Sequence, residues 1–305
     1  KQTNKSTAAL AELKGIANTI PNQAMLINAI VLQEAKDSSE IENIITTQDE
    51  LYKALTVTKS TISAETKEVV NYRKAIFSGF EIAKKQGFIK VNDIIGLQQE
   101  LVDNTAGIRS TPGTVLKNDK TGKVVYTPPQ DKAEILDLLS NFINHYNQIE
   151  NDLSPLINLA ILHFQFESIH PFYDGNGRTG RILNILYLIL NNLIDVPILY
   201  LSSYIIENKP EYYRLLKRTN HKGEWEDWIM FMLKAIENTS KDTISRISNI
   251  KSQLDKTIIQ VQKKSPKIYR KELVELLFEQ PYSKIDFVVN KLNVERKAAS
   301  RYLRE

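Results

Sequence analysis

Residues 170 to 181 read HPFYDGNGRTGR, and this stretch decides the fold around it. Gly175 and Gly177 can turn tightly and let backbone N–H groups approach an anion, because glycine has no Cβ atom. From Arg178 to Leu190 the chain is mostly apolar and has neither glycine nor proline after Gly180, which predicts a buried helix beginning at or just after the glycines. A helix N-terminus offers unpaired N–H donors and a partial positive charge. The stretch therefore predicts an anion site.

Four side chains in the stretch suit polyphosphate chemistry. Arg178 and Arg181 are three residues apart, so they share a helix face, and each guanidinium can bind a phosphate through two hydrogen bonds. Asp174 is placed to hold Mg²⁺ against the same phosphates, as one or two carboxylates do in nucleotide sites. His170 is the one side chain of the stretch that exchanges a proton near neutral pH.

The residues before the stretch predict a second helix, with Ser154 as N-cap and Pro155 at the first helical position. The motif is thus a helix, a loop and another helix. A phosphate-binding P-loop does not fit, because Arg181 stands where lysine belongs and no strand precedes the glycines. A di-iron site needs two Glu-x-x-His pairs, and the sequence has one. His163 fits a core histidine better than a metal ligand.

The stretch closely resembles the signature of the Fic family (filamentation induced by cAMP), HxFx(D/E)GNGRxxR, at every fixed position from His170 to Arg181. The resemblance implies a mostly α fold, a Fic-type helical bundle with a β-hairpin flap. It also implies an enzyme that transfers AMP from ATP to a hydroxyl of a target protein and releases pyrophosphate. Such a transfer depends mainly on positioning and charge neutralisation, which these residues can supply.

The resemblance gives each motif residue a role. His170 would deprotonate the attacking Ser, Thr or Tyr hydroxyl, Asp174 would bind Mg²⁺, and two arginines would hold the β- and γ-phosphates. The nucleotide-binding residues implied here are Asp174, Gly175, Asn176, Gly177, Arg178, Thr179, Gly180 and Arg181. A relative that phosphorylates its targets departs from the GNGR portion. This chain keeps that portion, which favours AMP transfer over kinase chemistry.

Residues Val115 to Pro129 contain two short β-prone runs around a turn signal at residues 118 to 122, which predicts a hairpin. The Fic resemblance makes this hairpin the flap, which pairs with the target segment through backbone hydrogen bonds. The residues expected beside the nucleotide are Lys123, Val124, Val125 and Tyr126. An ordinary surface hairpin would be an equally good interpretation without the motif.

Tyr212 and Asn220 are candidates for the adenine pocket, because the segment around them resembles the region that lines this pocket in relatives. Aromatic residues at helical spacing are, however, common in hydrophobic cores. That interpretation stays open.

An N-terminal segment matches the inhibitory pattern of the family, (S/T)xxxE(G/N), with Ser38, Glu42 and Asn43. In relatives the glutamate reaches the second motif arginine, here Arg181, and keeps the γ-phosphate out of its productive position. Removing one partner of a buried carboxylate–guanidinium pair costs about 3 to 5 kcal/mol, enough to supply most of such a switch. A capped, solvated helix with incidental acidic residues is the alternative.

The composition of the 305-residue chain is that of a globular protein, with 42% hydrophobic and 25% charged residues. The 40 Lys and Arg against 36 Asp and Glu leave a net charge of +4, too small to demand nucleic acid. The absence of cysteine excludes disulfides and thiol catalysis. The N-terminal residues lack an apolar leader, and no run of about 20 apolar residues occurs. We expect a cytoplasmic protein without membrane contact, with ATP and a protein substrate as partners.

Apolar periodicity predicts mainly helices before residue 239. They are Gln23 to Ala35, Ala64 to Gln86, Val91 to Leu101, Lys132 to Glu150, Pro155 to Ser168, Thr179 to Asn192, Lys209 to Asn220 and Glu224 to Asn238. A further helix follows, with an apolar stripe of Ile244, Ile247, Leu254, Ile258 and Val261. The stripe could join two copies as a homodimer, but packing on its own domain is the simpler interpretation.

The chain divides into an N-terminal segment with the inhibitory helix (1–60), a Fic core (61–238), a connecting helix (239–265) and a winged-helix-like domain (266–305). The last domain is expected to hold three short helices, at Ile268 to Glu279, Ser283 to Leu292 and Val294 to Leu303. The second and third resemble a helix-turn-helix. Its nine Lys or Arg against six Asp or Glu point only weakly to DNA, and a packing or target-docking domain is the stronger interpretation.

The sequence therefore predicts an AMP-transferring Fic enzyme inhibited by its own N-terminal helix. Two alternatives remain. One is an enzyme that removes AMP, with Glu42 positioning a water for that reverse task. The other is a DNA-binding regulator in which the Fic domain is secondary.

Overall fold

The computed structural model describes residues 1–20, 22–56, 62–117, 122–148, 152–279 and 282–304. These residues form fourteen helices and one two-stranded hairpin, so the fold is mostly α, as predicted. The first helices are α1 (Gln2–Ala17), α2 (Gln23–Ile41), α3 (Gln48–Thr56), α4 (Ala64–Gln86) and α5 (Val91–Val102). The hairpin strands are β1 (Leu116–Lys117) and β2 (Val124–Tyr126). The remaining helices are α6 (Lys132–Tyr146), α7 (Pro155–Ile169), α8 (Asn176–Leu190), α9 (Ser202–Glu207), α10 (Lys209–Lys222), α11 (Trp225–Lys264), α12 (Lys271–Glu279), α13 (Ile285–Leu292) and α14 (Arg296–Tyr302).

Helix α8 lies at the centre of the core, because most of its residues are apolar and nearly all of them are buried. It packs against α4, α5 and α7. Gly79 of α4 allows close approach, since a Cβ atom there would lie 2.8 Å from Leu186 Cδ1 of α8. This packing fixes the N-terminus of α8, where the functional stretch begins.

Helix α1 runs along α11, and Ser6 Oγ donates a hydrogen bond to the Leu233 carbonyl oxygen at 2.7 Å. Helix α11 is one continuous element of 40 residues, where the sequence pattern suggested two helices meeting at Asn238. The two periodic segments contain no glycine or proline that would end the first helix, so the backbone continues through the expected break.

Helices α12 to α14 fall close to the three short helices expected at the C-terminal end. Their shared core consists of Leu273, Leu276, Val288 and Ala299. The apolar stripe of α11 is partly covered within the chain, since Leu254 packs with Val274 of α12. The described part of this region holds no strand, and the winged-helix assignment stays a prediction.

Helix α12 also packs against α2, and Tyr282, after α12, donates a hydrogen bond to Asp49 Oδ1 of α3 at 2.6 Å. The C-terminal helices therefore touch the N-terminal segment. Every helix in the described ranges is too short or too polar to cross a lipid bilayer.

Candidate active site

The loop between α7 and α8 presents His170 in an unusual backbone conformation. His170 ends α7 with φ 47° and ψ 60°, in the left-handed region that few residues other than glycine adopt. Arg109 supports this turn, because its Nε donates to the His170 carbonyl oxygen at 2.7 Å and its own backbone N–H donates to the Pro171 carbonyl oxygen at 3.0 Å. Arg109 is fully buried. These bonds hold the backbone of the loop at His170 and Pro171.

The surroundings of the His170 ring set its protonation state. Burial, together with the nearby Arg109 charge, lowers the pKa of His170 to about 4. Its Nδ1 atom is buried and has no hydrogen-bond partner among the described residues. At neutral pH the ring is therefore uncharged, as a general base must be.

The rest of the loop is fixed by side chains that bond to its backbone. Asn176 Oδ1 accepts from the Phe172 N–H and Asn176 Nδ2 donates to the Phe172 carbonyl oxygen, both at 2.8 Å. Gln98 of α5 donates to the Asp174 carbonyl oxygen at 3.0 Å. Gly175 has φ 79°, and a Cβ atom there would lie 2.8 Å from Val102 Cγ1. The turn therefore needs glycine, and the loop enters α8 in one defined shape.

The first turn of α8 combines backbone donors with two arginines. The first four N–H groups of a helix lack intrahelical partners, and the helix dipole adds positive charge there. Arg178 and Arg181 are 1% and 2% exposed, so both guanidinium groups are withdrawn from water. Buried charges need partners, and each arginine pairs with a carboxylate from a distant part of the chain.

Arg181 is bound by the residues at the end of α2. Its Nε donates to Ser38 Oγ at 2.7 Å, and its Nη2 donates to the Ser38 carbonyl oxygen at 3.0 Å and to Glu42 Oε1 at 2.8 Å. Removal from water would by itself raise the pKa of Glu42, but the Arg181 charge holds that pKa below its usual value. Glu42 also reaches the α8 N-terminus, since a Cβ atom on Gly177 would collide with Glu42 Oε1. The carboxylate thus lies where an anion would bind.

Asn43 explains why the pattern after the glutamate is Gly or Asn. Its φ is 64°, and asparagine is among the few side chains that tolerate this region. The backbone turns here directly after Glu42, whose carboxylate pairs with Arg181. The structure therefore brings the three predicted residues Ser38, Glu42 and Asn43 to one place.

Arg178 is bound by a different element, through Glu68 of α4. Arg178 Nη1 donates to Glu68 Oε2 at 2.6 Å, and Arg178 Nη2 lies 3.6 Å from Asp174 Oδ1. The Asp174 side chain is 70% exposed, and its Oδ1 accepts from the Gly175 N–H at 2.6 Å. Mg²⁺ is commonly held by one or two carboxylates together with substrate phosphates and water, so this donor set fits the ion. No cluster of three or more metal-ligating side chains occurs in the described residues.

Thr179 and Gly180, which were also predicted to bind nucleotide, lie on the side of α8 that faces the protein interior. Thr179 is fully buried, and a Cβ atom on Gly180 would lie 2.7 Å from Glu167 Oε1. Burial raises the pKa of Glu167 to about 7. Gly180 therefore gives α7 room to place Glu167 against α8. The nucleotide role of these two residues stays a prediction.

The predicted flap is present as an antiparallel pair in which Leu116 faces Tyr126 and Lys117 faces Val124. The turn at residues 118–121 lies outside the described residues. Tyr126 donates to the Ser168 carbonyl oxygen at 2.9 Å, two residues before His170 in the sequence. Val124 is 54% exposed. The hairpin is thus tied to α7 and keeps an exposed side, while its contact with nucleotide or target stays a prediction.

Tyr212 and Asn220 lie apart from each other on α10. Tyr212 is 1% exposed, packs with Trp228, and its hydroxyl bonds His163 Nε2 at 2.9 Å. His163 is buried, as expected, and burial lowers its pKa to about 3. Asn220 is exposed near the end of the helix. The adenine-pocket assignment of both residues stays a prediction.

A basic groove of about 750 Å³ lies on the C-terminal helices. It is lined by Ile285, Arg296, Lys297, Ser300, Arg301 and Arg304. Arg296 pairs with Asp286, so part of the positive charge is compensated. DNA binding by this region stays a prediction.

Three residues that shape the site were not predicted from the sequence. They are Gln98, Arg109 and Glu68, the carboxylate partner of Arg178. Each contacts the motif across 61 to 110 residues of chain. Contacts at that separation follow from helix packing and leave no periodic signal in one sequence. A single buried arginine near a hairpin, such as Arg109, carries no such signal either.

The fold is mostly helical, and the site places His170 beside the N-terminus of α8, which bears two buried arginines. Three family profiles match the chain: Fic/DOC family N-terminal over residues 1–81, Fic/DOC family over 88–188, and Protein adenylyltransferase SoFic-like, C-terminal domain over 254–305. The chain belongs to the Fic/DOC family.

Named relatives are similar in sequence to part of the chain, and solved structures show the same fold. The protein adenylyltransferase Fic of Drosophila mojavensis is 26% identical over 156 residues, which are 50% of this chain and only 28% of the relative. A Fic family protein from Desulfovibrio desulfuricans superposes with a TM-score of 0.64 at 22% identity, covering 81% of this chain and 75% of the other. A Fic domain containing signaling protein from Bacteroides thetaiotaomicron gives 0.64 at 17% identity, covering 82% and 97%. The predicted Fic-type fold is confirmed.

Proposed function

We propose that this chain is a protein adenylyltransferase, which moves AMP from ATP to a Ser, Thr or Tyr hydroxyl of a target protein and of itself. The observation that carries the proposal is the uncharged His170 beside a helix N-terminus that also bears two buried arginines. A base next to a site for several negative charges suits attack on a triphosphate. The name of the Drosophila relative supports the same activity.

The chain's own groups account for each step. His170 accepts the proton of the target hydroxyl while the hydroxyl oxygen forms a bond to the α-phosphorus of ATP. The bond from the α-phosphorus to the bridging oxygen breaks, and pyrophosphate leaves with the electron pair. Arg178, Arg181 and the N–H groups at the start of α8 neutralise the charge on the phosphates. Asp174 would hold Mg²⁺, which supplies further charge neutralisation when bound.

The hairpin flap would align the target. Its short strands leave an edge beside Val124, and an extended peptide could add to that edge through backbone hydrogen bonds. Such pairing reads the backbone more than the side chains. We therefore expect the enzyme to accept several target sequences, because backbone pairing with the hairpin brings the target hydroxyl near His170.

In the resting chain, Glu42 would block the productive pose of ATP. The support is the position of its carboxylate, against both Arg181 and Gly177, where a terminal phosphate would compete with it. A triphosphate that cannot reach Arg181 could still bind, but its α-phosphorus would not lie in line with the attacking hydroxyl. The brake would be released when the end of α2 moves.

Intact-mass analysis after incubation with ATP and Mg²⁺ tests the proposal. The Glu42→Gly chain should gain the mass of AMP, and the wild-type chain far less. Parallel reactions with the other nucleoside triphosphates establish the preference. A mass gain of phosphate alone would indicate a kinase, and no gain on either the chain or added proteins would overturn the proposal.

Removal of AMP is a second candidate, favoured by the Glu42 carboxylate at the start of α8, where it could accept a proton from an attacking water. Wild-type chain should then release AMP from a pre-modified protein, and Glu42→Gly should not. Retention of release in Glu42→Gly would exclude this reverse role for Glu42.

A further inference from the structure

Arg178 carries a second ion pair that the motif does not predict. Its Nη1 donates to Glu68 Oε2 at 2.6 Å, and the Glu68 side chain is 35% exposed while that of Arg178 is 1% exposed. The pair joins the first turn of α8 to α4. An exposed arginine would not need it, but a buried guanidinium does, because an unpaired buried charge is costly.

Glu68 occupies only one end of the guanidinium. Arginine can bind an anion through the edge formed by Nε and Nη2, which donate in parallel. In Arg178 this edge faces the motif loop, since Nη2 lies 3.6 Å from Asp174 Oδ1. The Nε atom is buried and finds no acceptor within the described parts of the chain. The edge thus has the donors for a phosphate, while the opposite end is bound to α4.

The other motif arginine has the reverse arrangement. The Nε and Nη2 atoms of Arg181 donate to Ser38 and Glu42, so the same edge is satisfied by α2. A ligand must displace these partners before it can use that edge. At Arg178 the Nε atom has no partner to displace among the described residues, and the neighbour of Nη2 is Asp174 Oδ1 at 3.6 Å.

We infer that Glu68 is a positioning residue, which binds Nη1 of Arg178 so that the Nε and Nη2 edge faces the phosphate chain of the nucleotide. Glu68 itself touches no substrate. The inference rests on the proposed function for the identity of the ligand. It assigns α4 a part in nucleotide binding, in contrast to the inhibitory part of α2.

Two other roles for Glu68 are distinguishable from positioning. A purely structural ion pair would affect folding and all ligands alike. A second brake would restrain Arg178 as Glu42 restrains Arg181, and its removal would raise activity. Positioning affects ligands that carry phosphates and leaves a phosphate-free ligand unaffected.

The experiment uses the full chain carrying Glu42→Gly, so that the site is accessible. Glu68→Ala and Glu68→Gln are added, with Glu65→Ala as the matched control, since Glu65 is an exposed acidic residue one turn earlier on the same helix. Calorimetry gives the Kd of ATP and of adenosine. Steady-state AMP transfer gives KM for ATP and kcat separately.

Glu68→Ala should weaken ATP binding and raise KM for ATP about tenfold, the loss expected when a charged hydrogen-bond partner no longer orients a donor. Adenosine binding should change by less than about twofold, because adenosine has no phosphate for Arg178 to hold. Glu68→Gln keeps an oxygen acceptor at the same reach and should recover most of the ATP affinity. Glu65→Ala should match the parent in every measurement.

Unchanged ATP affinity in Glu68→Ala would overturn the inference, as would equal losses for ATP and adenosine. A gain of AMP transfer on adding Glu68→Ala to the wild-type chain would identify a second brake instead. Where Glu68→Ala does not fold, Glu68→Asp keeps the charge but withdraws it by one methylene, and ATP binding must weaken with the thermal midpoint retained. If the Glu42→Gly parent transfers no AMP, the proposed function fails, while the calorimetric comparison still decides the role of Glu68.

Discussion

Arg178 and Arg181 stand one turn apart on α8, both buried, yet their carboxylate partners come from two very different places. Glu42, the partner of Arg181, follows the last residue of α2, and its side chain is 34% exposed. Glu68, the partner of Arg178, lies within α4, next to the fully buried Val69. The two pairs have similar lengths, 2.8 Å and 2.6 Å, so chemistry alone does not separate them.

The difference is the mobility that the backbone allows each carboxylate. A residue just beyond a helix end can swing away when a few backbone dihedral angles change, and helix ends are also where local opening begins. The backbone of a residue within a helix that packs on the core cannot move without disturbing that packing. This difference supports the two proposed roles, a releasable brake at Arg181 and a fixed support at Arg178.

Loss of His170 is the largest expected effect. In the Glu42→Gly chain, His170→Ala should reduce AMP transfer by at least about 100-fold, because general-base catalysis contributes 10²- to 10⁴-fold. Radiolabelled ATP measures the transfer. His145→Ala, which changes a histidine on α6, is the control and should retain the parent rate. Equal rates in the two alanine variants would show that His170 is not the general base and would contradict the proposed reaction.

Release of Arg181 is the next effect in size. Glu42→Gly should raise AMP incorporation about 10- to 100-fold. Removal of one partner of a buried ion pair costs several kcal/mol, and solvent screening of the partly exposed Glu42 side chain reduces that value. The time course of intact mass measures the gain. Glu40→Gly makes the same change two residues earlier, where the side chain pairs with Lys36 on the surface. A similar gain in Glu40→Gly would mean that loosening of α2, and not the ion pair, releases the enzyme.

The anchorage of α2 should depend on pH through Glu34. Its carboxyl group bonds Tyr72 and Ser202, and burial raises the pKa of Glu34 to about 8. Between about pH 4.5 and 8 the folded chain keeps a proton that the unfolded chain releases, so stability falls as pH rises through this window.

Glu34→Gln should remove that contribution, making the fall of unfolding free energy with pH less steep by about 1.4 kcal/mol per pH unit. Urea unfolding of both chains at several pH values gives the slopes. Parallel slopes would show that Glu34 is ionised in the fold and does not couple α2 to pH.

The smallest effect concerns Tyr212, whose hydroxyl bonds His163 close to Arg181. Tyr212→Phe should lower the unfolding free energy by about 1 kcal/mol, the usual worth of one buried hydrogen bond, and should leave ATP affinity unchanged. Tyr213→Phe, at a neighbour that is 43% exposed, is the matched control. Weaker ATP binding in Tyr212→Phe alone would instead assign Tyr212 to the adenine pocket.

Much of the fold could be predicted because strong apolar runs set the helices. Ala64–Gln86 begins and ends at the predicted residues, where Ser63 caps the first turn and Gly87 closes the last in the left-handed region. Helix α1 was missed because few of its residues are strongly apolar, and it is held by packing along α11. That contact joins residues more than 200 positions apart, which local periodicity cannot reveal.

The candidate site divides in the same way. The stretch from His170 to Arg181 could be located by its glycines and arginines, because local turn chemistry and helix-end electrostatics are encoded locally. The pairing of Glu42 with Arg181 came from the family pattern. The partner of Arg178 could not be predicted, since Glu68 is one of several acidic residues on α4 and only the packing of α4 on α8 singles it out.

A structure of the Glu42→Gly chain with Mg²⁺ and a non-hydrolysable ATP analogue tests the comparison most directly. We predict that the Arg181 guanidinium leaves Ser38 and binds the terminal phosphates, while Arg178 keeps its bond to Glu68 and binds the nucleotide through its Nε and Nη2 edge. Release of both arginines from their partners, or triphosphate bound away from the start of α8, would contradict the account.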